Sequence, residues 1–306
     1  MNFIVTGGAG FIGSHLTKYL VEQKHAVTVI DNLCNGKKKK LGSVLKEIEF
    51  VDIDILDFKK LRDILKNADG VFHQAALTDV QESFSRKKEY FEVNVAGTEN
   101  ILKISKEYGL KVVFSSSASV YGNTKKIPIR ENFKRKPITP YGETKLQAEY
   151  LCEKYANNGV KVVGLRYFNV YGNGQNIAYA GVITRFLENT ANHKPLVIYG
   201  DGLQTRDFVF VEDVAKANLL AMKSKVDYAF INIGSGTATS IRDLANTIIE
   251  LAKLKIKPSY GMAVKGDIRA SQADIRLAKK LLKWEPETKL KEWLKKTLSR
   301  MNTVLK

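Results

Sequence analysis

Short apolar runs alternate with stretches of helical period through the first half of the chain. The runs are NFIVTGG (2–8), AVTVID (26–31), IEFVDID (48–54), GVFHQAA (70–76) and KVVFSSS (111–117). They are rich in β-branched and aromatic residues, and most lack strict polar–apolar alternation, which is the pattern of strands buried on both faces. Segments 11–22 and 89–107 carry helical periodicity between them. A strand–helix–strand order predicts right-handed crossovers and a doubly wound parallel sheet. KVVGLRY (161–167) and AFINIGS (229–235) can join the same sheet. The first 127 residues contain no proline, and all six prolines lie from Pro128 onward. The back half is less regular, with helices expected near 181–192, 211–224, 240–253 and 290–301. The expectation is an α/β fold: a doubly wound sheet over 1–167, to which 207–235 returns, and a smaller mixed C-terminal lobe over 168–306. That lobe would cover the C-terminal strand edge, where open α/β sheets bind ligands.

Composition narrows the class. The 306 residues suffice for one large α/β domain or two fused lobes. No apolar run approaches the roughly 20 residues of a membrane span, so no membrane partner is expected. The sequence enters a strand at once, without a charged leader or a small-residue cleavage site. Two cysteines, Cys34 and Cys152, exclude a disulfide framework and predict a reducing, cytoplasmic setting. The four histidines are scattered, and no His/Cys group has metal-ligand spacing, so no metal is predicted. Lys plus Arg minus Asp plus Glu is 49 − 32 = +17. NGKKKK (35–40) and FKRK (133–136) read first as solvated surface. A second reading is attraction of an anionic small molecule such as a phosphate ester. The lysines are dispersed and no basic motif interleaved with aromatics occurs, so no nucleic-acid partner is expected.

TGGAGFIGSHL (6–16) follows the first strand and opens the first helix. Gly7 and Gly8 permit a tight turn. Gly10, followed by Phe11 and Ile12, lets backbone amides approach a pyrophosphate at the helix N-terminus. Gly13 lets the helix pack closely on the strand. The second strand ends at Asp31, next to Asn32, near the spacing expected for a ribose partner. A carboxylate accepts hydrogen bonds from ribose hydroxyls and repels a 2′-phosphate, which favours NAD over NADP. Lys37 to Lys40 leave room for the alternative.

KVVFSSSASVYG (111–122) sets a serine cluster at a strand end, and TPYGETK (139–145) starts a helix with Pro140 near its first position. Tyr141 and Lys145 then share one helix face. A free tyrosine has a pKa of about 10, too high for a base at neutral pH. A neighbouring ammonium and an oxidised nicotinamide both favour the phenolate. Lys145 can supply the first charge.

With these motifs in order, together with DNL, RYFNVYG (166–172) and YGDGLQTRDFVFVEDV, the sequence strongly resembles the extended short-chain dehydrogenase/reductase family. Within it, the chain looks most like nucleotide-sugar 4-epimerases of the UDP-glucose and UDP-N-acetylglucosamine type. The resemblance implies a Rossmann-type NAD-binding sheet, a UDP-sugar substrate, and a homodimer. It assigns catalysis to Ser117, Tyr141 and Lys145. It adds Asp54, Ile55, Gln74, Ala75, Ala76 and Tyr167 as cofactor contacts, and Asn94 as a cofactor-side or structural residue. It assigns substrate contacts to Thr78, Ser117, Asn169, Arg206 and Ser271. Arg206 would grip the diphosphate, and the small Ser271 would admit N-acetylhexosamines as well as hexoses. The chain departs from the family in GMAVKGDIRAS (261–271), where Val264 replaces a usual arginine and Lys265 or Arg269 could stand in. The reaction implied is inversion at C4 of a UDP-hexose through a 4-keto sugar. Its rivals are a nucleotide-sugar 4,6-dehydratase, a UDP-glucuronate decarboxylase or epimerase, and, from another class, a non-catalytic NAD-binding regulator. Ala118 and Ser119 stand where dehydratases carry an acid–base pair of carboxylates.

Overall fold

The computed structural model describes residues 1–124, 126–175, 181–264 and 267–304, with side chains through Met301. The order begins β1 (Asn2–Thr6), α1 (Phe11–Glu22), β2 (Ala26–Ile30), β3 (Glu49–Val51), α2 (Phe58–Leu65) and β4 (Gly70–His73). It continues with α3 (Lys87–Phe91), α4 (Gly97–Tyr108), β5 (Lys111–Ser117), α5 (Pro140–Ala156), β6 (Val162–Tyr167), β7 (Asn169–Tyr171) and α6 (Val182–Ala191). Then come β8 (Val197–Tyr199), β9 (Thr205–Phe210), α7 (Val211–Lys223), β10 (Tyr228–Ile233) and β11 (Ala238–Ser240). The chain closes with α8 (Ile241–Leu251), β12 (Ser259–Gly261), α9 (Arg276–Leu282) and α10 (Leu290–Val304).

Seven strands form one sheet in the order β10-β6-β5-β4-β1-β2-β3, and every pairing in it is parallel. This is the Rossmann-type doubly wound sheet. Its strands are apolar on both faces because each face is covered. Leu16 and Leu20 of α1, Val214 and Met222 of α7, and Trp284 pack on one side. Leu61 of α2, Ile101 and Leu102 of α4, and Ala148 and Cys152 of α5 pack on the other. The order reverses between β1 and β4, and the crevice at such a switch point is where a dinucleotide binds. The remaining strands build a mixed sheet β11-β9-β7 and a parallel pair β12-β8, around a separate core of α6, α8 and α10.

Two local expectations change. The run 48–54 is a strand over Glu49–Val51 alone. Beyond it, Asp54 takes Leu56 N–H at 2.8 Å and Asn32 Nδ2 at 2.7 Å, so its side chain satisfies a turn rather than a ladder. The helix read at 89–107 starts at Lys87 and widens into a π-helical turn over Glu92–Ala96 before α4. Asn94 lies in that turn, where such bulges re-aim a side chain. It accepts from Leu77 N–H at 2.8 Å and donates to Leu77 O and Thr144 Oγ1, both at 3.0 Å. No helix among the described residues is long and apolar enough to cross a membrane.

Candidate active site

The turn after β1 is built by close approach. Gly7 has φ +68°, and a Cβ there would lie 2.7 Å from the Ala75 backbone. The first turn and the turn after β4 therefore touch at the switch point. A Cβ on Gly13 would sit 2.1 Å from the Gly7 carbonyl oxygen, so α1 can begin only this close to the turn without a side chain there. Asp31 closes the far end. Its two oxygens accept Ala9 N–H at 2.9 Å and Leu33 N–H at 2.8 Å. Burial pushes this carboxyl up, and the two amides oppose that.

A cavity of about 390 Å3 runs from Asp31 past this turn to the end of β5. Gly7, Gly10, Phe11 and Ile12 line it from the first turn, Asp31 and Asn32 from the end of β2, and Asp54 and Ile55 from the end of β3. Gln74, Ala75, Ala76 and Thr78 follow β4, and Ser117, Tyr141, Lys145 and Tyr167 close the other end. Asn94 is buried and does not line it. Lys40 does line it, beside Asp31. A carboxylate placed for ribose hydroxyls, a turn with no room for a Cβ, and a phenol with a lysine at the other end fit NAD.

The reactive end is set by β5 and α5. Thr139 caps α5 by accepting Gly142 N–H at 3.1 Å, and Pro140 fills the first position, where no N–H is needed. This fixes the phase that turns Tyr141 and Lys145 toward β5. Lys145 Nζ donates to Ser115 O at 2.9 Å and lies 5.3 Å from the Phe114 ring centre. Burial lowers its pKa to about 8, against the opposing fields of Cys152 and Glu149. The Ser117 hydroxyl acts to lower the Tyr141 pKa, and its Oγ accepts Ser119 N–H at 3.2 Å. The protein's own groups leave Tyr141 above its ordinary range, because burial outweighs the Ser117 hydroxyl. The ammonium is engaged with a strand carbonyl, and desolvation dominates at both groups.

A second cavity of about 340 Å3 shares Ser117, Tyr141 and Tyr167 with the first and is lined by Asn169, Arg206 and Ser271. Arg206 Nη1 donates to Thr205 O at 2.7 Å and Ile268 O at 2.5 Å, and Nη2 pairs with Asp267. Val264 lines this wall. Arg269 pairs with Asp201 at 2.8 Å, both more than half exposed, and does not line the cavity. Lys265 lies outside the described residues. Among the described residues, Arg206 is the cation of this cavity. Thr78 stands in the first cavity and not the second.

Some residues of the site had no motif to announce them. Asp267 and Gln81 line the second cavity from segments remote in sequence. Glu149 lies buried behind Lys145, and its spacing of four on the same helix was the available signal. Asn218 accepts from the Tyr167 hydroxyl at 3.0 Å.

The model of the NAD dependent epimerase/dehydratase family matches residues 3–234. The UDP-N-acetyl-alpha-D-glucosaminuronate decarboxylase of Bacillus cytotoxicus is 36% identical over 96% of this chain and 96% of its own. The crystal structure of UDP-glucose 4-epimerase with UDP-glucose from Thermotoga maritima has a TM-score of 0.94, with 38% identity over 100% of both chains. UDP-N-acetylglucosamine 4-epimerase from Methanobrevibacter ruminantium, in complex with UDP-N-acetylmuramic acid, has a TM-score of 0.93, with 35% identity over 99% of this chain and 98% of that one.

Proposed function

This chain belongs to the NAD dependent epimerase/dehydratase family, and from that premise we propose that it inverts C4 of a UDP-hexose through a 4-keto sugar. Bound NAD supplies the hydride acceptor and donor at C4. Everything else falls to the chain's own residues. Tyr141 takes the C4 hydroxyl proton as general base and later returns it, Ser117 holds the reacting oxygen, and Lys145 offers the positive charge that favours the phenolate. Arg206 anchors the diphosphate while the hexose turns in the second cavity. Its fork suits phosphate oxygens, and Asp267 holds that fork in the meantime. The buried, small Ser271 leaves room for an N-acetyl group.

The observation that carries this reading is the meeting of Ser117 and Tyr141 on the wall common to both cavities, with Lys145 behind them. Three features speak against the rivals. At 118 and 119 that wall has a methyl and a hydroxyl, so the carboxylates of water elimination are missing. Lys40, Lys145 and Arg206 are the cations lining the two cavities among the described residues. The first lies at the Asp31 end, and the other two are taken by the roles given above, so among the described residues no further cation lines the cavities for a substrate carboxylate. A regulator without chemistry would not need the phenol and ammonium together. A homodimer over the face of α3 and α5 is part of the proposal, since it would cover the exposed rings of Phe91 and Tyr150.

The test is incubation with UDP-glucose, UDP-N-acetylglucosamine and UDP-glucuronate separately, followed by NMR of the products. C4 inversion of one or both neutral sugars is expected. Loss of water, release of carbon dioxide from UDP-glucuronate, or no inversion of either neutral sugar would overturn the reading. In the same assay Tyr141→Phe should keep NAD and lose turnover by about 100-fold or more.

A further inference from the structure

Glu149 is a buried charge that the chemistry above does not use. It is 0% exposed on α5, four residues past Lys145 and eight past Tyr141, so the three side chains stand along one helix face. Its Oε1 accepts Ser116 Oγ at 2.6 Å and Arg166 Nε at 2.8 Å. Its Oε2 accepts Arg166 Nη2 at 2.9 Å and Arg135 Nη1 at 3.0 Å. All four acceptor positions of the carboxylate are thus used.

These bonds fall into a register. Ser115, Ser116 and Ser117 end β5 opposite α5: Ser115 O accepts from Lys145 Nζ, Ser116 Oγ donates to Glu149 Oε1, and the Ser117 hydroxyl acts on the Tyr141 phenol. Arg166 faces Ser116 on β6, directly before Tyr167 of the cleft. Its guanidinium lies between the Tyr121 and Phe230 rings and donates to Tyr121 Oη at 2.7 Å and Glu131 O at 2.9 Å. A Glu–Arg pair this deeply buried is a poor source of net stability, because desolvation offsets the attraction. What it does provide is a unique alignment of helix on strand.

We propose that Glu149 is the positioning residue of this site: by bonding Ser116 and Arg166 it locks α5 onto the ends of β5 and β6, and so fixes where Tyr141 and Lys145 stand. The inference rests on the reading of Tyr141 and Lys145 as the acid–base pair. Lys145 faces Cys152 and Glu149 from its own helix, His73 from β4, and the Phe114 ring and Ser115 carbonyl from β5. Of these, Glu149 is the carboxylate. Around Glu149 stand Arg166 and Tyr121, Arg135 before α5, and Tyr228 of β10.

The test reads Lys145 directly. In NAD-loaded protein with 13Cε-labelled lysine, the Lys145 resonance is assigned by its loss in Lys145→Met and titrated by NMR. Glu149→Gln removes the negative charge and should lower the Lys145 midpoint by about one pH unit. Arg135→Gln removes a cation paired with Glu149 and leaves the field of that carboxylate less compensated, so the midpoint should rise. Glu149→Asp should restore most of the wild-type value. In turnover, the alkaline limb of the rate profile should move with the midpoint while KM stays within about twofold. A midpoint that moves in neither Glu149→Gln nor Arg135→Gln overturns the proposal. If Glu149→Gln does not fold, Arg135→Gln decides it. Absence of epimerisation in the wild type would instead strike the proposed function and leave the titration standing.

Discussion

His73 shows how one residue ties the two halves of the site together. It is 1% exposed between two threonines. Thr98 Oγ1 donates to Asn94 O at 2.6 Å, so it accepts from His73 Nε2–H at 2.9 Å. Nδ1 is then the acceptor for the Thr6 hydroxyl at 2.8 Å, and Thr6 Oγ1 accepts Ala75 N–H at 3.2 Å. The hydrogen-bond pattern therefore requires the neutral Nε2–H tautomer. Burial, with Lys145 adding to it, lowers the His73 pKa from 6.5 to about 3. The unfolded chain takes up this proton first, so stability is intact above pH 6.5 and falls as pH drops from 6.5 toward 3. The loss through this group is at most about 1.4 kcal/mol per pH unit. Urea midpoints between pH 7 and about 4 should fall less steeply for His73→Gln than for the wild type. Equal slopes would mean that His73 does not carry the acid sensitivity.

At the scale of elements, two glycines show different demands. Gly13 lies inside α1 with ordinary helical geometry, and its constraint is space: the 2.1 Å approach of a Cβ to the Gly7 oxygen. Gly109 caps α4 with φ +67° and nothing within 4 Å, so its constraint is conformation. Gly13→Ala should lift α1 off the turn, cost about 1–3 kcal/mol, and weaken NAD binding by about 10-fold or more. Gly109→Ala should cost about 1–2 kcal/mol and leave NAD affinity unchanged. Calorimetric titration with NAD and thermal melts of both variants check the pair. Comparable affinity losses in the two would remove the cradle argument. The long helix α5 is the counterpart of α1 across the sheet. Its cap at Thr139 sets its phase, and its bonds to β5 set its height.

For the whole molecule, charge and topology act together. The net charge is +17, while among the described residues Lys40, Lys145 and Arg206 are the cations that line the two cavities. On the proposed reading, long-range attraction of a diphosphate falls to the surface field and the grip to Arg206. The expected result is a several-fold fall of kcat/KM for the UDP-sugar between about 20 mM and 0.5 M salt, with kcat nearly constant. A salt-independent kcat/KM would mean that the basic surface takes no part in capture. The parallel sheet gathers the ends of β1 through β6 on one edge, and the mixed sheet brings β7 and β9 over it. The two cavities meet where these bodies meet, at Ser117 and Tyr141.

Local periodicity was enough to read β1, α1, β2, β5 and α5, because strand burial and helix phase repeat over a few residues. The glycine turn and the Tyr141–Lys145 spacing were legible for the same reason: each is a short-range pattern with one stereochemical purpose. The early end of β3 at Val51 and the π-helical turn at Asn94 were not legible, since each is decided by contacts outside its own segment. The same holds for the Ser115–Ser117 register, the Glu149–Arg166 pair and the Arg206–Asp267 contact, with partners 17 to 61 positions apart. The sequence by itself determined which elements form and which chemistry they carry. Tertiary structure decided which side chains face each other and how far burial shifts their charges, because sheet register and desolvation arise only once distant segments pack.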